Sequence, residues 1–318
     1  MECLPVSPTL EWLQQILNDP HITDICINGA HSVFIDRGQS LEPWRVDSQV
    51  QTTELDLKTW ILDQLSAIGK TWDARFPFID ASIPSGHRMH VVFPPLSQTG
   101  LLISLRKLPS RGCIRWNHSP FYNRLKAAIQ QGDSILISGA TGSGKTTLAN
   151  DLLGEVSTDE RIIALEDTPE LAPSHPHFLS LMSRPANADG FGEVTLRSLL
   201  KQTLRMRPDR IILGECRGSE VLELLQALNT GHRGALATLH ANSPRDALRR
   251  IELLCILASE GRLPIRGIRE LLSLGIQWIV QTKRVESERI ISEVVKLESM
   301  EGDTILLRPV VHSFDHDH

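Results

Sequence analysis

The 318-residue chain predicts an α/β fold in two parts. A smaller α+β domain covers residues 1–108, and a doubly wound domain covers 121–318, with a linker at 109–120. Three observations carry this. From Phe121 onward short apolar runs alternate with amphipathic ones, the pattern of a mostly parallel sheet with helices on its faces. One of the strand-to-helix turns, Gly139 to Thr146, fits G-x-x-x-x-G-K-[ST] in full. Before Leu108 the runs are short and separated by hairpin turns rather than by helices.

In the first domain, Asp24–Ile27 and Ser32–Ile35 flank Asn28-Gly29, a short hairpin signal. Of two helix candidates there, residues 53–68 have helical spacing through Leu57, Trp60, Ile61, Leu65 and Ile68. Phe78–Ile83 and Arg88–Phe93 surround Pro84-Ser-Gly-His87 as a second hairpin, and Leu101–Leu105 reads as a further strand. Pro109, Gly112 and Pro120 punctuate the linker. In the second domain the expected strands are Ile135–Ser138, Ile162–Leu165, Arg210–Leu213 and Ala235–Leu239. Helices are expected at Thr146–Val156, Glu193–Met206 and Glu220–Leu228. Pro208 suits the end of the middle helix. Two C-terminal helices, Ala247–Leu257 and Ile265–Leu274, precede strands near Trp278–Gln281 and Ile290–Val295.

Composition sets limits on function. With 41% hydrophobic and 22% charged residues the chain can bury two cores. Five scattered cysteines, Cys3, Cys26, Cys113, Cys216 and Cys255, never form a C-x-x-C pair, which argues for a reducing compartment and against structural zinc. The first basic residue is Arg37, so no secretory or transit signal is expected at the start. The longest uncharged stretch, Met89–Leu105, contains Pro94, Pro95 and Gly100, so no membrane helix is expected. A net charge of −5 disfavours a duplex nucleic acid partner. The run from His312 to His318 reads as a solvated tail rather than a metal site.

The loop motif points to a nucleoside triphosphate. Gly139, Gly142 and Gly144 allow the backbone to turn its N–H groups inward, with Ala140, Thr141, Ser143 and Thr147 completing the cradle. The new helix adds its positive dipole end. Lys145 supplies a point charge for the β- and γ-phosphates, and the Thr146 hydroxyl suits Mg²⁺. Three other strand ends carry polar groups. Arg207-Pro-Asp-Arg-Ile-Ile-Leu-Gly-Glu215 ends in Glu215, where an ATPase holds a carboxylate toward Mg²⁺ water or the attacking water, with Gly214 in the usual aspartate position. Residues 163–170 end in Glu166, Asp167 and Glu170, and residues 231–240 end in His240. Taken singly, an acidic turn is also a helix cap and a strand-end histidine is also a satisfied core residue.

In this order the four segments resemble the secretion and pilus ATPase superfamily, with its Walker A loop, Asp box, G-E Walker B and His box. Leu204 to Gly218, Leu228 to Gly234 and Thr238 to Arg245 are most similar to tight-adherence (Flp-type) pilus and conjugation-type secretion ATPases. Asp80 to Arg88, Phe93-Pro-Pro95 and Ile103 to Lys107 resemble that family's N-terminal module, so the resemblance spans residues 20–282. It implies a RecA-like P-loop NTPase domain and a homohexameric ring with ATP and Mg²⁺ at each site. Glu215 is then the catalytic carboxylate, Glu166 helps hold metal or water, and His240 senses the γ-phosphate. Arg88 and Arg106 stand where family N-domains offer arginines to the phosphates; the alternative is an ordinary surface or salt-bridging role.

The resemblance implies a cytoplasmic motor, peripheral at the inner membrane and working with a polytopic platform protein, for a Flp-type pilus or alternatively for type IV secretion or conjugation. A nucleic-acid translocase is disfavoured by the acidic charge, and a non-hydrolysing scaffold by the intact Lys145, Thr146, Glu215 and His240. The basic run Arg197, Lys201, Arg205, Arg207, Arg210 and Arg217 resembles a nucleic-acid surface in isolation, but a ring interface explains it without DNA and is the preferred reading. The family's tetracysteine zinc element is absent, and Cys216 replaces a more usual aliphatic residue.

Overall fold

A computed structural model of the chain describes residues 8–38, 40–46, 51–107, 116–186, 190–286 and 288–310. The chain divides into two compact units, Met1–Cys113 and Ile114–His318. Cys3, Cys113, the tail at 312–318 and linker positions 109–115 lie outside the described residues.

Unit one contains α1 (Glu11–Asn18), β1 (Asp24–Asn28), β2 (Ser32–Asp36), β3 (Leu41–Trp44), α2 (Glu54–Ala67), β4 (Phe78–Ser82), β5 (Arg88–Val92) and β6 (Leu102–Arg106). The strands form one antiparallel sheet in the order β3-β2-β1-β6-β5-β4. Period-2 alternation sends Ile25, Ile27, Val33, Ile35, Met89, Val91, Ile103 and Leu105 to one face, where they form a core with both helices. α1 buries Trp12, Leu13, Ile16 and Leu17 there. Each such side chain is worth about 1.5–3 kcal/mol when fully removed from water. α2 starts at a capping box in which the Thr53 hydroxyl accepts from the Asp56 amide and the Asp56 carboxylate accepts from the Thr53 amide. β3 has no period-2 signal, because its residues are exposed or half-buried and it carries Pro43 at a sheet edge.

Unit two contains α3 (Tyr122–Gln130), β7 (Ile135–Gly139), α4 (Lys145–Leu153), β8 (Ile162–Glu166), β9 (Phe178–Met182), α5 (Leu196–Thr203), β10 (Arg210–Leu213), α6 (Glu220–Asn229), β11 (Leu236–Leu239), α7 (Pro244–Ala258), α8 (Ile265–Gly275), β12 (Trp278–Val285), β13 (Glu288–Glu301) and β14 (Thr304–Pro309). The sheet runs β14-β13-β12-β7-β11-β10-β8-β9. Its strands from β12 to β9 are parallel, and β13 and β14 add an antiparallel edge. β7, β8, β10 and β11 are buried on both faces, as continuous apolar runs require between two helix layers.

Three expectations need correction. The middle helix starts at Leu196 rather than Glu193, because the Thr195 hydroxyl accepts the Ser198 amide as its cap. The expected linker ends too late: Trp116 is 2% exposed and packs into the core of unit two. Arg210 is no interface residue. It is 4% exposed at the start of β10, and its guanidinium is ion-paired to Glu160.

Candidate active site

The carboxyl ends of β7, β10 and β11 bring three chemical groups together at the crevice where parallel sheets receive ligands. Between β7 and α4 the loop turns through Gly139 (φ 158°), Gly142 (φ 73°) and Gly144 (φ 93°). The last two lie in the left-handed region that favours glycine. A Cβ on Gly139 would lie 2.5 Å from Thr282 Oγ1, whereas one on Gly142 would meet nothing within 4 Å. The loop is therefore packed on its β12 side and open at Gly142. Lys145 is buried, and its Nζ donates to the carbonyls of Gly139 (3.0 Å) and Ala140 (2.9 Å).

His240, just beyond β11, links this lysine to the carboxylate beyond β10. Its Nδ1 lies 3.3 Å from Lys145 Nζ and its Nε2 lies 3.0 Å from Glu215 Oε1. An ammonium only donates, so Nδ1 accepts and Nε2 carries the proton donated to Glu215. Burial and then the Lys145 charge push the His240 pKa down, against the opposing pull of Glu215, so the ring is neutral at neutral pH. Glu215 also pairs with Arg217, which lies 4.0 Å from Asp167 as well. The turn that holds them is fixed by Glu220, which accepts the amides of Arg217 and Gly218, both at 2.7 Å.

The acidic segment after β8 divides its work differently from the resemblance. Glu166 is 1% exposed. Its Oε1 accepts the amides of Glu170 (2.9 Å) and Leu171 (2.8 Å), and its Oε2 accepts the Ser180 hydroxyl (2.7 Å). Burial raises its pKa against the lowering effect of these bonds. Glu170 is the carboxylate that reaches the loop, accepting from Thr146 Oγ1 at 3.1 Å. The segment is tied to α4 by Asn150, whose Oδ1 accepts the Ala172 amide at 2.8 Å. Gly214 has a steric reason: a Cβ there would lie 2.9 Å from Glu166 Cγ, so no aspartate fits at that position unless Glu166 moves.

These residues fit a magnesium nucleotide. The loop turns on glycines where a Cβ would collide with Thr282 at Gly139 or with Trp116 at Gly144, it is open at Gly142, and the buried Lys145 ammonium donates to the loop carbonyls of Gly139 and Ala140. A hydroxyl and a carboxylate, Thr146 and Glu170, supply hard oxygen donors of the kind Mg²⁺ takes one or two at a time beside phosphate oxygens. Thr141 and Thr147 lie in and just after the same loop, Thr147 within the first turn of α4.

Groups that sequence reasoning missed come from the C-terminal hairpin β12–β13. Thr282 Oγ1 lies 2.8 Å from Ser143 Oγ and donates to Ser138 O at 3.1 Å. Arg289 Nε donates to Gly142 O at 3.0 Å. Gln281 hydrogen-bonds both Ser138 and the Ala241 carbonyl. Only their contacts mark them; no sequence spacing connects them to residues about 140 positions earlier.

In unit one, Arg88 and Arg106 stand opposite each other on β5 and β6. Arg88 forms a two-point pair with Asp80, through Nε at 3.2 Å and Nη2 at 2.6 Å. Asp80 is held below the usual carboxylate range by Arg88, although its burial acts the other way. Arg106 stands opposite Asp24 on β1. Elsewhere, Cys216 is buried and its thiol is pushed well up by that burial, which makes it inert. Among the described residues no cluster of three or more His, Cys, Asp or Glu could hold a metal alone, and no helix is long and apolar enough to cross a membrane.

The sequence model of the type II/IV secretion system protein family matches residues 9–287. The chain is similar to a putative conjugal transfer protein of Mycobacterium tuberculosis, with 37% identity over 91% of this chain and 85% of that one. It is 32% identical to the type IV secretion system protein VirB11 of Brucella suis, over 85% of this chain and 83% of the relative. Among solved structures, the pilus retraction motor PilT with bound ADP has the same fold, with a TM-score of 0.62 at 19% identity over 96% of this chain and 82% of that one.

Proposed function

Because the chain belongs to the type II/IV secretion system protein family, we propose that it hydrolyses ATP with Mg²⁺ to drive a macromolecular transfer or pilus machine. The observation that supports this most is the chain of contacts from Lys145 through neutral His240 to Glu215 beside the glycine loop. It joins a phosphate-binding charge, a group able to report on a γ-phosphate, and a carboxylate able to orient or deprotonate water. Thr146 and Glu170 would hold the metal. Mg²⁺ would neutralise charge on the phosphates, while this chain's own residues hold the nucleotide and the attacking water in line.

The working form is a homohexamer, peripheral at the cytoplasmic face of the inner membrane, with Arg88 and Arg106 adding charge to the phosphates and a polytopic platform protein as partner. The tight-adherence motif similarity favours pilus assembly. The relatives named for conjugal transfer and type IV secretion favour a conjugation-type machine, and the genes beside this one distinguish the two.

Phosphate release from purified protein with and without Mg²⁺ tests the reaction. Lys145→Ala is expected to abolish release, and Glu215→Gln to retain ATP binding while losing turnover by about 10²-fold or more. Equal release by wild type and Lys145→Ala would overturn the assignment.

A further inference from the structure

We propose that Gln281, on β12, is a positioning residue that sets His240 relative to the phosphate loop; this rests on the reading of His240 as the γ-phosphate sensor. β7 lies between β12 and β11 in the sheet, with Ser138 in register with Gln281 on one side and Leu239 on the other. Gln281 is 7% exposed, and its side chain spans this gap. Its Oε1 accepts the Ser138 hydroxyl one residue before the loop, and its Nε2 donates to Ala241 O at 3.1 Å, one residue after His240.

The amide orientation is dictated by chemistry. A carbonyl oxygen only accepts, so the –NH₂ must face Ala241 and the oxygen must face Ser138, whose hydroxyl donates. The strand carrying the P-loop and the segment carrying the sensor therefore share one side chain, at the point where the register of β12 against β13 shifts between Gln281 and Thr282. His240 itself is bonded to groups that a nucleotide would engage, Lys145 and Glu215. When those bonds rearrange around a phosphate, the Ala241 anchor still holds the backbone beside the imidazole. A near-attack geometry tolerates little displacement, so loosening that anchor slows turnover without removing a ligand of the nucleotide.

The test is a double-mutant cycle in the full-length protein, read by single-turnover ATP hydrolysis and by the affinity for a fluorescent ADP analogue. Gln281→Glu keeps the shape and the acceptor for Ser138 and, when ionised at the alkaline end of the assay range, replaces the donor to Ala241 with a repelling oxygen. It is expected to slow hydrolysis about tenfold, to leave ADP affinity within about twofold, and to add no further loss in a His240→Ala background. Gln281→Met, which keeps length and neutrality, carries the same expectation if the glutamate variant melts early. Hydrolysis unchanged in both variants, or an equal loss in the presence and absence of His240, would overturn the inference. Wild-type protein that hydrolyses no more ATP than Lys145→Ala would sink the hydrolysis reading and the inference with it, and so is distinguishable from a failed cycle.

Discussion

Glu166 and Glu170 lie four residues apart, and their surroundings separate their roles. Glu166 satisfies two backbone amides and a hydroxyl in the protein interior, whereas Glu170 faces the Thr146 hydroxyl. Removing a buried acceptor leaves its donors unpaired, at about 1–3 kcal/mol each. Glu166→Ala is therefore expected to lower unfolding stability by about 3 kcal/mol or more in denaturant titration. Glu170→Ala should change stability by less than about 1 kcal/mol but raise the Mg²⁺ concentration needed for half-maximal ATP hydrolysis about tenfold. The reverse pattern would return the metal to Glu166. The sequence showed three carboxylates at a strand end, and their types and spacing pointed to phosphate chemistry. Which of them turns inward depends on backbone amides at 170 and 171 and a hydroxyl at 180, none of which has a recognisable spacing.

At the scale of elements, α4 combines a strong N-terminus with a weak C-terminus. Its first turn opens the phosphate cradle with Lys145 and Thr146, where the helix dipole favours an anion. Asp151 lies in its last turn, where the dipole disfavours one, and burial together with nearby Glu155 pushes the Asp151 pKa up to about 6. A carboxyl raised in the folded state contributes stability that is fully present below the unfolded pKa near 4 and is lost as pH rises through about 6. Asp151→Asn is therefore expected to be neutral at pH 4 and stabilising at pH 8. Since Asp151 is only partly buried, screening reduces the effect to about 1 kcal/mol. Melting temperatures of both proteins across that range check it; a gain that does not grow with pH would rule out the ionisation as its source. Helices and central strands were legible here because both faces of the sheet are covered and apolar periodicity survives. The edge strands β3 and β9 were not, because their exposed residues carry no such pattern.

For the whole molecule, the expectation is a ring whose turnover depends on assembly. Light scattering over a concentration and nucleotide series is expected to show a hexamer, with specific activity rising as it forms. A monomer with constant specific activity at every concentration would exclude the ring. Arg88 and Arg106 test whether unit one contributes to catalysis. If their charge acts on the transferring phosphoryl group, as proposed, each replaced by Ala slows ATP hydrolysis by about tenfold or more, with ADP affinity changed by less than about twofold. Arg88 is already paired with Asp80 through Nε and Nη2, so that ion pair competes with any role toward a phosphate. Unchanged rates in both variants would confine unit one to another role.

What the chain alone determined was local in sequence. Gly139 to Thr146 encodes its loop because the needed φ values, the ammonium and the hydroxyl occupy eight consecutive positions. The alternation of strands and helices and the order of Glu215 and His240 along the chain were likewise readable, since strand ends of a parallel sheet meet at one edge. Tertiary structure decided what depends on distant segments meeting. It buried Arg210 against Glu160 and put Trp116 in the core of unit two. It also brought Gln281, Thr282 and Arg289 to the phosphate loop and the residue before it, about 140 residues away. Hydrogen bonds between strands that are neighbours only in the sheet fix those positions, and no periodicity within either segment records which strand lies beside it.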